Sequence, residues 1–325
     1  MRPRSFFIKY SREFAIIIAG IILILIFSIL QREYFRLNNF VQIVKQASIN
    51  GFLAIGMSFV IINGGIDLSV GSTLAIVVVT VGKFLVNGTN PVISILIGLV
   101  LGFLLGSVNG LLVSTMKLQP FIATLGTMSV YRGIAYLITG GWPVLNIPSN
   151  FRKMVDGNFF DFIPISVVLL LVCVSIGYII LRHTKLGYYL YAIGGNEEAA
   201  RLSGVNVNLN KVMAYGLCGI CAAICGMLML ARLGTGEPTA GQGYELNAIA
   251  AVAIGGTSLA GGKGSVICTL LGALLLQALR VGLVVCGVDA FWQFIATGAI
   301  IVVAAYFETA QGTLGNLFKK IFNNN

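Results

Sequence analysis

Charged side chains are scarce in this chain: 21 Lys and Arg with 11 Asp and Glu make 10% of 325 residues, where a soluble domain carries about 25%. A soluble protein of this size keeps a large wetted surface, and 57% hydrophobic residues leave too few polar ones to cover it. The surrounding solvent is therefore mostly lipid. Histidine is nearly missing. His183 is the single one, so there is no catalytic triad and no zinc site, and it reads as a cation near a helix C-terminus. No metal site and no enzyme are indicated. All six cysteines fall within apolar segments, which gives no disulfide framework. Cys218, Cys221 and Cys225 share about one helix face without a His or carboxylate nearby, the pattern of a small apolar residue in packing. A phosphate loop is missing too. "GGTSLAGGKGSV" holds Thr257 and Gly264 where the Walker pattern needs Gly and Ser or Thr, so the chain does not bind ATP by that route. The first apolar run, "EFAIIIAGIILILIFSIL", ends without a small-x-small cleavage site and is expected to stay as a first helix.

What the chain has in abundance is apolar runs of helical length. A spanning helix needs about 20 mainly apolar residues, and ten runs qualify: 14–30, 42–62, 68–86, 92–116, 119–138, 163–181, 210–231, 246–260, 266–285 and 290–307. None shows the roughly ten-residue alternation of a barrel strand. The expected fold class is an all-α polytopic membrane protein, about ten transmembrane helices with broken or re-entrant segments, forming one membrane domain over 1–325. The net charge of +10 reports topology. Arg2, Arg4, Lys9 and Arg12 precede the first helix; Arg182, Lys185, Arg201 and Lys211 surround the loop after the sixth; Lys319 and Lys320 close the chain. With ten helices all these fall on one side, and the positive-inside rule makes residues 1–13, the 183–209 loop and the 308–325 tail cytoplasmic. Glu33, Asp156, Asp161, Glu237, Glu245 and Asp289 fall in the opposite loops. Nothing in this charge needs nucleic acid to explain it.

Glycine punctuates these runs. Gly98, Gly102, Gly106 and Gly110 recur every four residues, a smooth ridge where another backbone approaches closely, either within one subunit or at a dimer seam. Two segments echo one another: "GGIDLSVGS" from Gly64 and "GGTSLAGGK" from Gly255 share Gly, Gly, Leu and Gly at matched offsets. Internal repeats with broken helices at corresponding places are common in transporters. Asp67 is costly in an apolar setting, about 2.5–3.5 kcal/mol at a helix centre. Gly64 and Gly65 permit a turn there, after which Asp67 accepts hydrogen bonds from the free N–H groups of the next helix. One reading makes it a helix cap at a break. The other makes the break, with its twin at 255–265, part of a gate: Gly64, Gly65, Asp67, Ser69, Gly71, Gly255, Gly256, Gly261 and Gly262. The outer loops 139–162 and 232–245 suit interfacial anchoring or a docking surface equally. Arg132 and Arg280 are placed near outer helix ends, where they can snorkel.

The inner loop carries the most specific signal. Gly194 and Gly195 end one element; Asn196 is a good N-cap, Glu197 and Glu198 suit the first turn, and "EEAARLSG" makes two turns closed by Gly204. Membrane insertion needs no such helix; it is either a solvated surface element or a contact for something in the cytoplasm. "EAARLSG" resembles the Glu-Ala-Ala-x-x-x-Gly motif of membrane permeases in bacterial ABC importers. "GGIDLSVGS", "PFIATLGTMSVYRGIAYLITGG", "AIGGNEEAARLSGV" and "PTAGQGYELNAIAAVAIGGTSLAGGKG" together resemble the ribose-type sugar permeases, in the same order and over about residues 45–310. Asn247 and Glu237 stand where that family more usually has Asp and Gln.

The resemblance implies a permease subunit in the bacterial inner membrane that imports a monosaccharide. Its expected partners are a second permease subunit (a copy of this chain or a different one), an ATP-binding cassette ATPase and a periplasmic or lipid-anchored sugar-binding protein. The chain itself is expected to carry no cofactor, ATP and Mg residing on the ATPase. Asn196, Glu197, Glu198, Ala199, Ala200 and Gly204 would form the coupling helix seated in the ATPase, and 64–72 and 255–264 the family's signature segments. From their outer-side position, Arg36, Arg152, Lys153 and Arg232 are candidates for docking the binding protein. Two alternatives stand beside this: an importer of the same class for nucleosides, branched-chain amino acids or a signalling furanose, and an ion-coupled secondary transporter, for which Asp67 is the only inner-half ion site.

Overall fold

Proline and glycine set the helix boundaries. In the computed structural model, which describes residues 11–159, 163–289, 291–300, 302–303 and 306, α1 (Ser11–Leu30) leads through a 3-10 turn into α2 (Leu37–Ile62), α3 (Val70–Val86), α4 (Pro91–Ser114) and α5 (Pro120–Thr139). Pro91 and Pro120 each occupy the first turn of their helix, where a missing N–H costs nothing. Asn90 caps α4 by accepting from Val92 N–H at 2.9 Å. A short helix α6 (Ser149–Asp156) and a two-residue hairpin, β1 (Asn158–Phe159) with β2 (Ile163–Pro164), then precede α7 (Ile165–His183). The second half comprises α8 (Lys185–Gly195), α9 (Glu197–Leu202), α10 (Val207–Leu233), α11 (Tyr244–Ile254), α12 (Val266–Val285) and α13 (Phe291–Ile300). Residues 1–10 of the expected cytoplasmic N-terminus, the Arg12 side chain, Asp161, and the tail 308–325 with Lys319 and Lys320 lie outside the described residues.

The fold is an all-α polytopic membrane bundle, and that small hairpin is its one sheet among the described residues. Among the described residues, six helices, α2, α4, α5, α7, α10 and α12, are long and apolar enough to cross a membrane. α2 and α10 are mostly buried at the centre, whereas α4, α5 and α7 keep most of their apolar surface outward. α4 shows why. Its glycine ridge faces inward and Leu96, Val100 and Leu104 face outward. A Cβ on Gly102 would overlap the Gly219 carbonyl, one on Gly106 the Tyr215 carbonyl, and one on Gly110 would sit 2.5 Å from Val212 Cα. The ridge is therefore used inside the chain, against α10. Cys218 and Cys221 of α10 lie equally close to Gly56 of α2.

Three expectations are corrected. The 246–260 run is not one long helix: α11 covers Tyr244–Ile254, about 16 Å at 1.5 Å per residue, against a hydrocarbon core of about 30 Å. Gly256 at φ +74° turns the chain out of it. The 232–245 loop does not simply run over an outer surface. Gly236 pairs with Val144 and lies 3.4 Å, by its would-be Cβ, from Val78 O of α3, while Gly241 sits against Gly71 two turns nearer the start of α3. This non-helical stretch thus threads inward along α3, with Gly236, Pro238, Ala240 and Gly241 buried. Arg132 explains how it tolerates burial. Rather than snorkelling, its Nη1 donates to the carbonyls of Pro238 and Ala240, both at 2.8 Å, and irregular backbone at depth requires such internal partners. Arg280 also turns inward, donating to Asn247 Oδ1 at 2.5 Å and Thr297 Oγ1 at 3.3 Å.

Candidate functional site

The short helix α9 forms as its sequence dictates. Asn196 Oδ1 accepts from Ala199 N–H at 2.9 Å, and Gly204 at φ +83° closes the end, with Val205 N–H donating to Ala200 O at 3.1 Å. This is the helix-ending pattern that a left-handed glycine makes possible. Glu197 faces back into the protein, where its carboxylate meets Lys211 of α10 at 2.6 Å and Arg201 at 2.9 Å. Partial burial pushes the Glu197 carboxyl up, but hydrogen bonds and charge from Lys211 and Arg201 outweigh that and hold it below the ordinary value. Ala200 is buried with Ile193, Val207 and the edge of Val205. Glu198 and Ala199 face outward, as does Leu202, which is 84% exposed. Leu202 carries no motif signal; its exposure alone marks it.

Directly beside α9, three glycine segments meet backbone to backbone. Gly262 N–H donates to the Ile62 carbonyl at 2.9 Å, so the two echoing breaks touch. Gly194 lies between them: a Cβ there would overlap the Ile62 carbonyl and come 2.5 Å from Gly262 N. Gly261 at φ +91° packs on Gly64 and on the Gly194 carbonyl, and Gly262 at φ +72° packs on Gly195. Tyr191 of α8 donates to Gly264 O at 2.8 Å. The structure thus brings Gly64, Gly261 and Gly262 together with Gly194 and Gly195. Those last two were read from sequence only as the end of an element; a third Gly pair beside the Glu-Ala-Ala motif was the available signal.

The other signature residues lie apart from this junction. Gly65 sits under Tyr215, whose hydroxyl would be 2.5 Å from a Cβ; Gly71 sits against Gly241; and Gly255 would bring a Cβ 2.7 Å from Cys268 O. Gly256 supplies the turn after α11. Asp67 is buried and accepts from Ser69 N–H at 2.9 Å, Ser69 Oγ at 2.7 Å and Asn109 Nδ2 at 3.3 Å. Asp67 therefore closes a turn onto Ser69, the residue just before α3, rather than capping N–H groups of the helix itself, and Asn109 ties this turn to α4.

The four cations expected to dock a binding protein are not equally available. Arg36 pairs with Glu33 at 2.6 Å on the surface. Arg232 pairs with Asp156 at 3.3 Å, and Arg152 donates to Ala231 O at 3.1 Å, so both fasten α6 to the end of α10. Arg152 and Lys153 remain exposed.

The chain matches the branched-chain amino acid transport system / permease component family over residues 39–305. It is 42% identical over 288 residues to the ribose import permease of Bacillus subtilis, which covers 88% of this chain and 89% of the relative. The ribose import permease of Escherichia coli is 41% identical over 315 residues, covering 95% and 97%. The D-allose transport system permease of Escherichia coli is 36% identical over 309 residues, covering 94% of each. No solved structure matches the chain.

Proposed function

Because this chain belongs to the branched-chain amino acid transport system / permease component family, we propose that it is the membrane-spanning permease subunit of an ATP-driven importer for a monosaccharide. The full-length relatives named for ribose and allose favour a sugar over the amino acids in the family's description. In this reading the chain is one domain of the inner membrane, with both termini and the 183–209 loop cytoplasmic and α11 a re-entrant half-span. ATP and Mg are handled by a cytoplasmic ATPase. A binding protein outside the membrane delivers the sugar, and a second permease subunit completes the pathway.

The observation that carries the mechanism is the glycine junction. α9 presents Glu198, Ala199 and Leu202 outward, while the backbone just before it is wedged between both helix breaks. A push on α9 by the ATPase therefore reaches the end of α2 and the 255–265 loop without passing through any flexible side chain. Affinity purification from membranes tests this. The wild-type chain is expected to retain an ATPase subunit and, with the binding protein, to take up D-ribose into proteoliposomes on ATP addition. Glu198→Arg is expected to lose the ATPase and at least nine-tenths of uptake while inserting normally. Normal uptake by that variant would sink the coupling assignment.

A further inference from the structure

Four amides recur along one face of α2: Asn39, Gln42, Gln46 and Asn50, spaced three, four and four residues apart. With Gln277 and Arg280 of α12 they line a cavity of about 480 Å³, within the size range of ligand pockets, about 300–1,000 Å³. Gln277 bridges the row, donating to Gln46 Oε1 at 2.5 Å and accepting from Asn50 Nδ2 at 3.3 Å. Asn50 Oδ1 is buried there with no hydrogen-bond partner, although a buried amide oxygen left unmatched is costly. Gln42 and Gln46 are exposed on a helix long and apolar enough to span. Polar side chains facing hydrocarbon are expensive, so such a row belongs to a water-filled or protein-lined path.

The lining also selects a chemistry. Each amide both donates and accepts, as does each hydroxyl of a polyol. Among the described residues, no carboxylate lines the cavity to hold a cation. Of its two arginines, Arg232 is neutralised by Asp156 and Arg280 is engaged by Asn247 and Thr297, which leaves little to hold an anion. The ring of Tyr244 adds an apolar face. A second cavity of about 440 Å³, between α2, α7 and α10, is walled by apolar side chains with Cys173 and Cys221 and offers a sugar no strong hydrogen-bonding group.

We propose that the amide-lined cavity between α2 and α12 is a wall of the solute pathway, built for an uncharged polyhydroxylated solute. This rests on the importer reading, and two measurements separate them. Gln42→Cys and Gln46→Cys, in the assembled transporter, are treated with a membrane-impermeant thiol reagent beside wild type and Leu96→Cys on the outward apolar face of α4. Both cavity positions are expected to label above the wild-type background and to be slowed by D-ribose or D-allose, and Leu96→Cys to stay unlabelled. In ATP-driven uptake, Gln46→Leu and Asn50→Leu are expected to raise the KM for D-ribose about tenfold, as loss of one well-placed hydrogen bond does, while the ATPase still co-purifies. Unlabelled cysteines at 42 and 46, or an unchanged KM in both leucine variants, overturn the proposal. A wild-type transporter that takes up neither sugar overturns the monosaccharide reading instead, and the labelling still decides whether the cavity is a wet path.

Discussion

At Gly106 the backbone of α4 rests on the Tyr215 carbonyl with no room for a Cβ, whereas Gly126 of α5 has nothing within 4 Å. Space, not helix propensity, distinguishes the two positions. Gly106→Leu must push α4 off α10, and overpacking of that kind costs about 1–3 kcal/mol. Thermal unfolding in detergent is expected to show a clear fall in Tm for Gly106→Leu and none for Gly126→Ala; equal Tm values would mean that α4 and α10 are not in backbone contact. Arg132 follows a different logic. Its guanidinium is committed to two backbone carbonyls, so its place in the chain is structural.

Among the elements, α9 is short enough to be unstable alone, since helices under about 12 residues are marginal in water. Its persistence depends on the Asn196 cap, the Gly204 end and the Glu197 pairs with Lys211 and Arg201. The Glu197 carboxyl is held below its ordinary value of 4.5, so the folded state favours the carboxylate. The stabilisation is present above pH 4.5 and is lost as pH falls through the lowered value. Amide-exchange protection factors over residues 197–202 are expected to drop below pH 4.5 in the wild type, and to be lower and flat with pH in Glu197→Gln. An equal pH response in both would assign the effect to another group. Of the two acids of α9, Glu197 thus anchors the helix while Glu198 stays exposed.

On the scale of the molecule, α10 joins two ends. Its first residues follow α9 and hold Glu197 through Lys211, and its last turn meets Asp156 and Arg152 of α6. α2 spans the same two ends in the opposite direction, from Asn39 at the amide-lined cavity to Ile62 at the glycine junction. The proposed topology sets these ends on opposite sides of the membrane. Ser203→Cys, after α9, is expected to react with an impermeant thiol reagent only in inside-out vesicles, and Leu145→Cys, beside α6, only in right-side-out ones. Labelling of both from the same side would reverse one of the two assignments.

Much of this was legible in the residues. Lipid as solvent, helices as the spanning element and the capped short helix all follow from composition, periodicity and local hydrogen-bonding chemistry, which act over a few residues, whereas the glycine ridge showed only a close approach and the fold set it against α10. The path of 236–241 did not follow, because a Gly/Pro-rich stretch after an apolar run reads the same whether it crosses a surface or threads a bundle. Only the fold decides that, by bringing Arg132 to carbonyls more than a hundred residues away. The same holds for the junction of Gly64, Gly194 and Gly262 and for the amides facing Gln277. A glycine advertises freedom but not its neighbour, and an amide advertises hydrogen bonds but not the chain that receives them.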